Sequence, residues 1–163
     1  MSTATDAALL TVRPDSIPAE LRVRPQWVLW RLEERGGKPT KVPYNPGTGR
    51  RTSTTDLMTW GLFEEALEEL ERYDGIGFVF CSGDPYVGVD LDGCVDPETG
   101  EIAPWATQII DGLDSYTELS PSGTGVHIIA RGKFSANGRR GPVEMYSRER
   151  FFTVTGHVLG ESR

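Results

Sequence analysis

The chain is short and acidic, with 163 residues and a formal net charge of −7 at pH 7. A chain of this length predicts a single domain over residues 1–163, of which residues 1–13 form a loose lead-in. No apolar run is long enough to cross a membrane, and the first residues lack the pattern of a secretion signal. Cys81 and Cys94 have no metal-binding spacing, so we predict free thiols in a cytoplasmic protein.

The charges are distributed unevenly along the chain. Residues 1–53 carry a net charge of +4, residues 54–118 a net charge of −15, and residues 119–163 a net charge of +4. A folded chain with this distribution can present a basic face although it is acidic as a whole. The overall charge therefore does not exclude a nucleic acid as the partner.

The first predicted elements are a short helix and two strands. Residues 16–21 have the cap and proline pattern of a short helix. Residues 26–31 are aromatic and β-branched, which predicts a strand. Residues 38–44 predict an edge strand, because they contain two prolines and proline cannot donate a ladder hydrogen bond. A basic, turn-rich loop follows over residues 45–51.

The clearest helical pattern follows Thr59, which we predict as the N-cap, and ends at Gly75. The apolar residues of this helix form one stripe: Trp60, Phe63, Ala66, Leu67 and Leu70. Its glutamates lie elsewhere on the helix and predict a solvated face rather than a metal site: Glu64, Glu65, Glu68, Glu69 and Glu71.

The next predicted elements are a buried strand over residues 76–80 and a strand over residues 87–92. The turn between them predicts a hairpin. Pro104 opens a helix that runs through Leu113. We expect four of its side chains to face inward: Trp105, Ile109, Ile110 and Leu113.

The last third of the chain predicts more strands. Residues 126–131 form one strand, and residues 143–146 and 151–155 form two more that we expect to pair with each other. The mixture of strands and helices places the chain in the α/β (α+β) fold class.

Two carboxylates end the strand over residues 87–92. Because side chains alternate across a strand, its three apolar residues are predicted to face a core. Gly88, Asp90 and Asp92 then face the other way, where the glycine leaves room for an approaching group. Neighbouring carboxylates repel unless a cation compensates them, and oxygen ligands suit Mg²⁺ or Mn²⁺. The alternative is a solvated strand end that runs into a turn.

A small, polar, glycine-rich loop over residues 120–125 precedes the strand over residues 126–131. Glycines let the backbone approach a phosphate, and the hydroxyl groups add donors. The loop is not a Walker A motif, since no Gly-Lys-Ser/Thr follows it. A lone histidine more often has a structural role, but His127 beside this loop favours phosphate binding.

Glu144 lies between apolar residues in a predicted strand, and a carboxylate in this position needs a partner. One interpretation is an ion pair with Arg148 or Arg150. The other makes Glu144 a third acidic ligand beside the two aspartates, because three carboxylates around two divalent ions suit two-metal phosphoryl transfer.

Together these segments resemble the primase-polymerase domains of phage and plasmid replication proteins, within the archaeo-eukaryotic primase superfamily. That family has, in this order, a DxD strand, an SxH-like segment and an acidic residue on a later strand. Asp90 and Asp92 match the first motif. Residues 122–127 match the second in a longer, glycine-containing form, and Glu144 matches the third, where many members have aspartate. The resemblance covers about residues 25–157.

The resemblance implies an archaeo-eukaryotic primase-like core, in which the active site lies between an N-terminal αβ module and a module like an RNA-recognition motif. It implies template-directed nucleotidyl transfer that makes or extends primers in phage or plasmid DNA replication. Asp90, Asp92, Glu144 and His127 would be catalytic, and the three carboxylates would hold two Mg²⁺ or Mn²⁺ ions. The incoming triphosphate would be bound by Ser122, Thr124, Gly125 and His127, with Arg150 and Lys41 as helpers.

The resemblance also implies the partners, a single-stranded DNA template with a primer and nucleoside triphosphates. We expect no membrane partner, because no apolar run is long enough to span one. Family members usually continue into a helicase domain or a helical priming domain, so we expect an N-terminal part of a larger replication protein, in the cytoplasm of a bacterial host. Two other functions stay open. One is a replication-initiation domain that binds nucleic acid without activity. The other is a DxD metal-dependent glycosyltransferase, which leaves His127 and Glu144 unexplained.

Overall fold

The structure is a computed structural model that describes residues 9–160. Its strands are β1 (Trp27–Arg35), β2 (Lys38–Tyr44), β3 (Gly75–Phe80), β4 (Tyr86–Leu91), β5 (Tyr116–Leu119), β6 (Val126–Arg131), β7 (Gly138–Arg140), β8 (Val143–Tyr146) and β9 (Arg150–Val154). Its α-helices are α1 (Ala19–Arg22), α2 (Phe63–Glu69) and α3 (Pro104–Leu113). None of the helices in this range is long and apolar enough to span a membrane.

The strands form two antiparallel sheets. The four-stranded sheet has the order β2-β1-β3-β9, and the five-stranded sheet has the order β5-β6-β4-β8-β7. The mixture of antiparallel sheets and few helices confirms an α+β architecture. Strand β2 lies at a sheet edge, as its prolines predict. Cys81 and Cys94 are free thiols, also as predicted.

The predicted hairpin of β3 with β4 and the predicted pairing of β8 with β9 are both wrong, because the chain changes sheets at each turn. Strand β3 pairs with β1 and β9, whereas β4 pairs with β6 and β8. The same holds for β8 and β9, which lie in different sheets. The β3–β9 ribbon of one sheet therefore continues into the β4–β8 ribbon of the other, through the turns that join β3 to β4 and β8 to β9.

A buried polar cluster holds these two turns together. The Asp84 carboxylate is fully buried and accepts hydrogen bonds from the backbone N–H groups of Cys81 and Tyr86, each at 2.8 Å. Lys133 Nζ lies 2.9 Å from Asp84 Oδ1 and donates to the backbone carbonyls of Cys81 and Ser147. One ammonium group thus connects the β3–β4 turn to the β8–β9 turn.

The larger core lies between the two sheets. Aromatic residues of the four-stranded sheet, including Phe78, Phe80 and Phe152, pack against Tyr116 and Ile129 of the five-stranded sheet. Gly88 permits this contact, since a Cβ atom there would lie only 2.6 Å from the Phe152 ring and 2.7 Å from the Phe80 ring. Gly88 was predicted to leave room for an approaching group, and that group is the pair of phenylalanine rings in the protein's own core.

The second core lies on the other face of the five-stranded sheet. Val89 and Leu91 pack there with Ala106 and Ile110 of α3, as the alternation along β4 predicts. The predicted bounds of α3 are confirmed. Two of its four expected inward side chains are wrong, because Trp105 and Leu113 are each 37% exposed. The buried stripe runs instead through Ala106 and Ile110, which are one helical turn apart.

The start of α2 also differs from the prediction. The helix begins at Phe63 with Leu62 in the N-cap position, and Thr59 instead ends a short 3-10 helix. The reason is tertiary, since Gly61 exchanges two backbone hydrogen bonds with Trp27, which keeps the chain extended there. Gly75 begins β3 rather than ending the helix.

The predicted lead-in lies partly outside the described residues, which begin at residue 9. Leu10 N donates to Pro121 O and Arg13 N donates to Thr155 O, both at 2.8 Å. Residues 9–13 are therefore hydrogen-bonded to the folded domain rather than loose.

Candidate active site

One row of polar side chains crosses the five-stranded sheet. Asp90 on β4 lies directly opposite His127 on β6 and directly opposite Glu144 on β8. The row continues to Glu118 on β5 and to Arg139 on β7. Directly opposed residues of antiparallel strands share a face, so strand register alone brings these five side chains to the same side of the sheet.

Asp90 is the centre of this row. Its side chain is 26% exposed, and its Oδ1 lies 3.5 Å from His127 Nε2. The pKa of Asp90 is raised to about 6, chiefly by burial and also by the charges of Asp92 and Glu144, which outweigh the attraction of Lys41 and Arg139. Asp92 follows the end of β4, is exposed, and donates its backbone N–H to Pro142 O at 2.8 Å. The two aspartates thus differ in burial although they are two residues apart.

His127 lies in the interior beside Asp90. The residue is 5% exposed, and its ring stacks on Phe152 with 4.6 Å between the ring centroids. Its Nδ1 lies 2.9 Å from the carbonyl oxygen of Thr153, which can only accept, so Nδ1 carries a proton. Burial, with a smaller contribution from the charge of Lys41, lowers the pKa of His127 to about 4. The imidazole is therefore neutral at pH 7, and its Nε2 lone pair faces the Asp90 carboxyl group.

Glu144 has two partners, neither of which is Arg148 or Arg150. Its Oε1 lies 3.6 Å from Arg139 Nη1, and its Oε2 accepts a short hydrogen bond from the Tyr146 hydroxyl. Burial and the neighbouring carboxylate raise the pKa of Tyr146 above its ordinary range. Glu144 keeps 26% of its side chain exposed, so it is accessible from solvent.

The loop over residues 120–125 lies beside the end of β4. A Cβ atom on Gly125 would lie 2.9 Å from Leu91 O and 3.7 Å from the Asp92 Cα atom. Within the loop, Ser122 Oγ lies 2.8 Å from Thr124 Oγ1, and both hydroxyls are at least partly exposed. The structure thus places the glycine at the end of this loop next to Asp92, whereas His127 contacts Asp90, Phe152 and Thr153.

Two basic residues predicted to assist lie at the margin of the site. Desolvation lowers the pKa of Lys41, while the charges of Asp90 and Asp92 oppose this decrease. The guanidinium of Arg150 lies over the ring of Tyr146, 5.7 Å from its centroid. Lys41 thus interacts with the aspartates, and Arg150 reaches the site through the tyrosine that contacts Glu144.

Sequence reasoning missed the two ends of the polar row. Glu118 is fully buried and accepts hydrogen bonds from the backbone N–H groups of Thr155 and Gly156 and from the Tyr116 hydroxyl. Burial raises the pKa of Glu118 to about 7. Arg139 was missed because only the pairing of β7 with β8 brings it opposite Glu144. The available signal was a charged residue in an otherwise apolar strand, which applies to Glu118 alone.

The chemistry of the acidic residues suits a divalent cation. Asp90 and Glu144 are opposed carboxylates whose repulsion contributes to the raised pKa of Asp90, and hard divalent cations prefer such oxygen ligands. Within residues 9–160, no three acidic, histidine or cysteine side chains already converge as a metal cage. The Asp90 and Glu144 carboxylates are the type of ligand that a divalent cation takes, and binding of the cation requires these side chains to move closer together.

The comparisons with known proteins agree with the motifs. A DNA primase-polymerase of Nitratiruptor phage NrS-1 is 39% identical to the chain over 143 residues, which are 82% of this chain and 19% of the relative. No protein-family model matches the chain. The chain thus spans about a fifth of the length of that curated relative. By sequence it is homologous to a segment of a phage DNA primase-polymerase, and this supports its assignment as a phage primase-polymerase domain.

Proposed function

We propose that the domain catalyses template-directed nucleotidyl transfer in DNA replication and thereby makes or extends primers. The observation that carries the proposal is the position of Asp90 directly opposite Glu144, with Asp92 just beyond the end of β4. Divalent cations, Mg²⁺ or Mn²⁺, held by these three carboxylates would supply the charge neutralisation that phosphoryl transfer needs. The two-metal form of this mechanism is part of the proposal.

The two sheets correspond in this proposal to the two modules of an archaeo-eukaryotic primase core. The four-stranded sheet with α1 and α2 is the N-terminal αβ module. The five-stranded sheet with α3 is the module like an RNA-recognition motif. The face of the five-stranded sheet that carries the polar row packs against the four-stranded sheet, so the site lies where the modules meet.

The loop over residues 120–125 is proposed to bind the triphosphate through its exposed groups. The hydroxyls of Ser122 and Thr124 contact each other, and Gly125 leaves the backbone of the same loop close to Asp92 at the end of β4. Lys41 and Arg150 add positive charge at the margin of the site. His127 has only Nε2 left for a nucleotide, because Nδ1 donates to Thr153. A triphosphate near Nε2 would favour the protonated imidazolium, which donates from both ring nitrogens.

The reaction is a substitution at phosphorus. The 3′-hydroxyl oxygen of a primer or of a first nucleotide forms a bond to the α-phosphorus, and the hydroxyl proton leaves to solvent. The bond from the α-phosphorus to the oxygen that bridges it to the β-phosphate breaks, and pyrophosphate is released. The substrates are nucleoside triphosphates and a single-stranded DNA template. We further propose a helicase domain or a helical priming domain as the partner, and the cytoplasm of a bacterial host as the location.

Primer extension tests the proposal. The 163-residue chain is incubated with a primed DNA template, labelled nucleotides and Mg²⁺ or Mn²⁺, and compared with Asp90→Ala/Asp92→Ala and with the exposed-surface control Glu98→Gln. We expect extension that requires the ion, is lost in the double variant and is kept in the control. Template binding without extension by the unmodified chain would instead indicate a nucleic-acid-binding domain without activity.

A further inference from the structure

A short loop exposes two apolar side chains. Residues 53–59, which we call the 53–59 loop, precede α2 and contain the 3-10 turn Leu57–Thr59. At its tip Leu57 is 66% exposed and Met58 is 79% exposed. Single exposed apolar residues are common, but two adjacent ones at the tip of one loop form a local apolar surface.

The loop is held in this shape by its own hydrogen bonds. Thr59 Oγ1 donates to Asp56 O at 2.7 Å, and Asp56 Oδ1 accepts from Met58 N at 3.0 Å. The indole N–H of Trp60 donates to Ser53 O at 2.8 Å. The two apolar side chains are thus presented by a preorganised backbone, which reduces the entropy lost when a ligand binds them.

A chain of contacts connects the loop to the candidate active site. Thr54 Oγ1 donates to the backbone carbonyl of Glu149 at 3.2 Å. The next residue, Arg150, lies over the ring of Tyr146, and Tyr146 donates to Glu144. The loop is therefore connected through these contacts to Glu144, which is next to Arg139 in the polar row.

Exposed arginines lie on the segments that adjoin the loop. Arg50 is exposed and has no carboxylate within ion-pair distance among the described residues, and the same is true of Arg150. Arg51 is paired with Glu33 at 3.2 Å. The acids of this region are Asp56, which holds the loop turn, and the exposed Glu149. Exposed guanidinium groups on the segments that adjoin the loop match the phosphates of a nucleic acid strand, and the apolar tip matches its bases.

We infer that the tip of the 53–59 loop contacts the bases of a single DNA strand that approaches the active site, with Leu57 and Met58 against the base faces and Arg50 on a phosphate. Leucine and methionine side chains serve as apolar wedges between bases in other DNA complexes. This inference rests on the proposed function, since it names the surface that would receive the strand.

Binding of a fluorescein-labelled single-stranded oligodeoxynucleotide, followed by fluorescence anisotropy without nucleotides, tests the inference. We expect Leu57→Ser/Met58→Ser to weaken binding roughly five- to tenfold, because apolar contact with the bases is lost. The dependence of affinity on salt should stay unchanged in this variant. Arg50→Gln should reduce the slope of log affinity against log salt by roughly 0.7, the value for one lost phosphate contact on a single strand.

Val23→Ser is the matched control, since Val23 is 78% exposed and follows α1. It should bind DNA like the parent, and the thermal unfolding temperatures of the parent, the control and Leu57→Ser/Met58→Ser should agree. Unchanged affinity in the double variant, or an equal loss in Val23→Ser, would overturn the inference. Self-association of the parent that disappears in the double variant at unchanged DNA affinity would overturn it in favour of a protein interface.

The two proposals fail separately in these measurements. A chain that extends primers but binds DNA equally well after the loop substitutions refutes the loop inference alone. A chain that binds DNA through the loop but incorporates no nucleotide refutes the proposed catalysis alone.

Discussion

Asp90 and Glu144 lie directly opposite each other on the neighbouring antiparallel strands β4 and β8. Like charges at directly opposed positions destabilise a sheet. After burial and the charge of Asp92, the charge of Glu144 is a further cause that raises the pKa of Asp90 to about 6. The domain therefore keeps at its candidate site an arrangement that lowers its stability when no cation is bound.

Removing one of these charges should stabilise the metal-free domain. We expect Asp90→Asn to raise the free energy of unfolding by about 0.5–1 kcal/mol in buffer with a chelator, because the cross-strand repulsion is relieved. Addition of Mg²⁺ or Mn²⁺ should raise the thermal unfolding temperature of the parent more than that of the variant, since only the parent keeps the full set of ligands. Thermal unfolding with and without the ion measures both effects.

Glu98→Gln is the control for this comparison, because Glu98 is exposed and lies outside the polar row. It should change the free energy of unfolding by less than about 0.5 kcal/mol and leave the response to the ion intact. An equal response to the ion in the parent and in Asp90→Asn would argue against Asp90 as a ligand.

Local sequence patterns were sufficient for seven of the nine strands in residues 9–160, all except β5 and β7, and for the face that Asp90 occupies. Alternation along β4 directs Val89 and Leu91 toward α3 and directs Asp90 to the opposite face. The bounds of α3 follow from Pro104 and the apolar spacing after it. These features depend on residues close together in the chain, which is the information that a single sequence contains.

These local patterns could not predict which strands pair with each other. A short turn between β3 and β4 is compatible with a hairpin, and the choice against it depends on the packing of Phe80 and Phe152 over Gly88. The same packing separates β8 from β9. The Arg139 partner of Glu144 was missed for a related reason, because the pairing of β7 with β8 that brings Arg139 opposite Glu144 is not contained in the local pattern around Glu144.

The stability of the domain should depend on pH through Glu118. Burial raises its pKa from an ordinary 4.5 to about 7 in the folded state, so the folded chain binds this proton more tightly than the unfolded chain. The contribution is complete below about pH 4.5 and is lost as the pH rises toward 7. We expect the free energy of unfolding of the parent, relative to the non-titrating Glu118→Gln, to fall by up to about 1.4 kcal/mol per pH unit in this interval.

Chemical denaturation at a series of pH values measures this difference. Comparison with Glu118→Gln cancels the titration of Asp90 and His127, which both proteins share. In Glu118→Gln the side-chain N–H₂ group must face the backbone N–H of Thr155 or Gly156, which is also a donor. We therefore expect the variant to be less stable than the parent at acid pH. Parallel curves for parent and variant would show that Glu118 does not titrate differently on folding.

The contact between the two sheets should be sensitive to one methyl group. In Gly88→Ala the added Cβ atom would lie 2.6 Å from the ring of Phe152 and 2.7 Å from that of Phe80, so the sheets must separate. We expect a loss of about 1–3 kcal/mol in the free energy of unfolding. Gly83→Ala is the control, because a Cβ atom there meets no atom within 4 Å. Equal free energies of unfolding for the two variants would show that the two sheets can move apart at little cost in free energy.

The turns that carry the chain between the sheets should depend on the ion pair of Lys133 with Asp84. Lys133→Met leaves the fully buried Asp84 carboxylate without its cation, and we expect a loss of about 3–5 kcal/mol, measured by chemical denaturation. Asp84→Asn/Lys133→Met removes both charges together. Because the two groups share one network, the double variant should lose at least about 1 kcal/mol less than the sum of the single variants. Additive losses would show that each residue acts through separate contacts, and the two turns would then not be held by a common cluster.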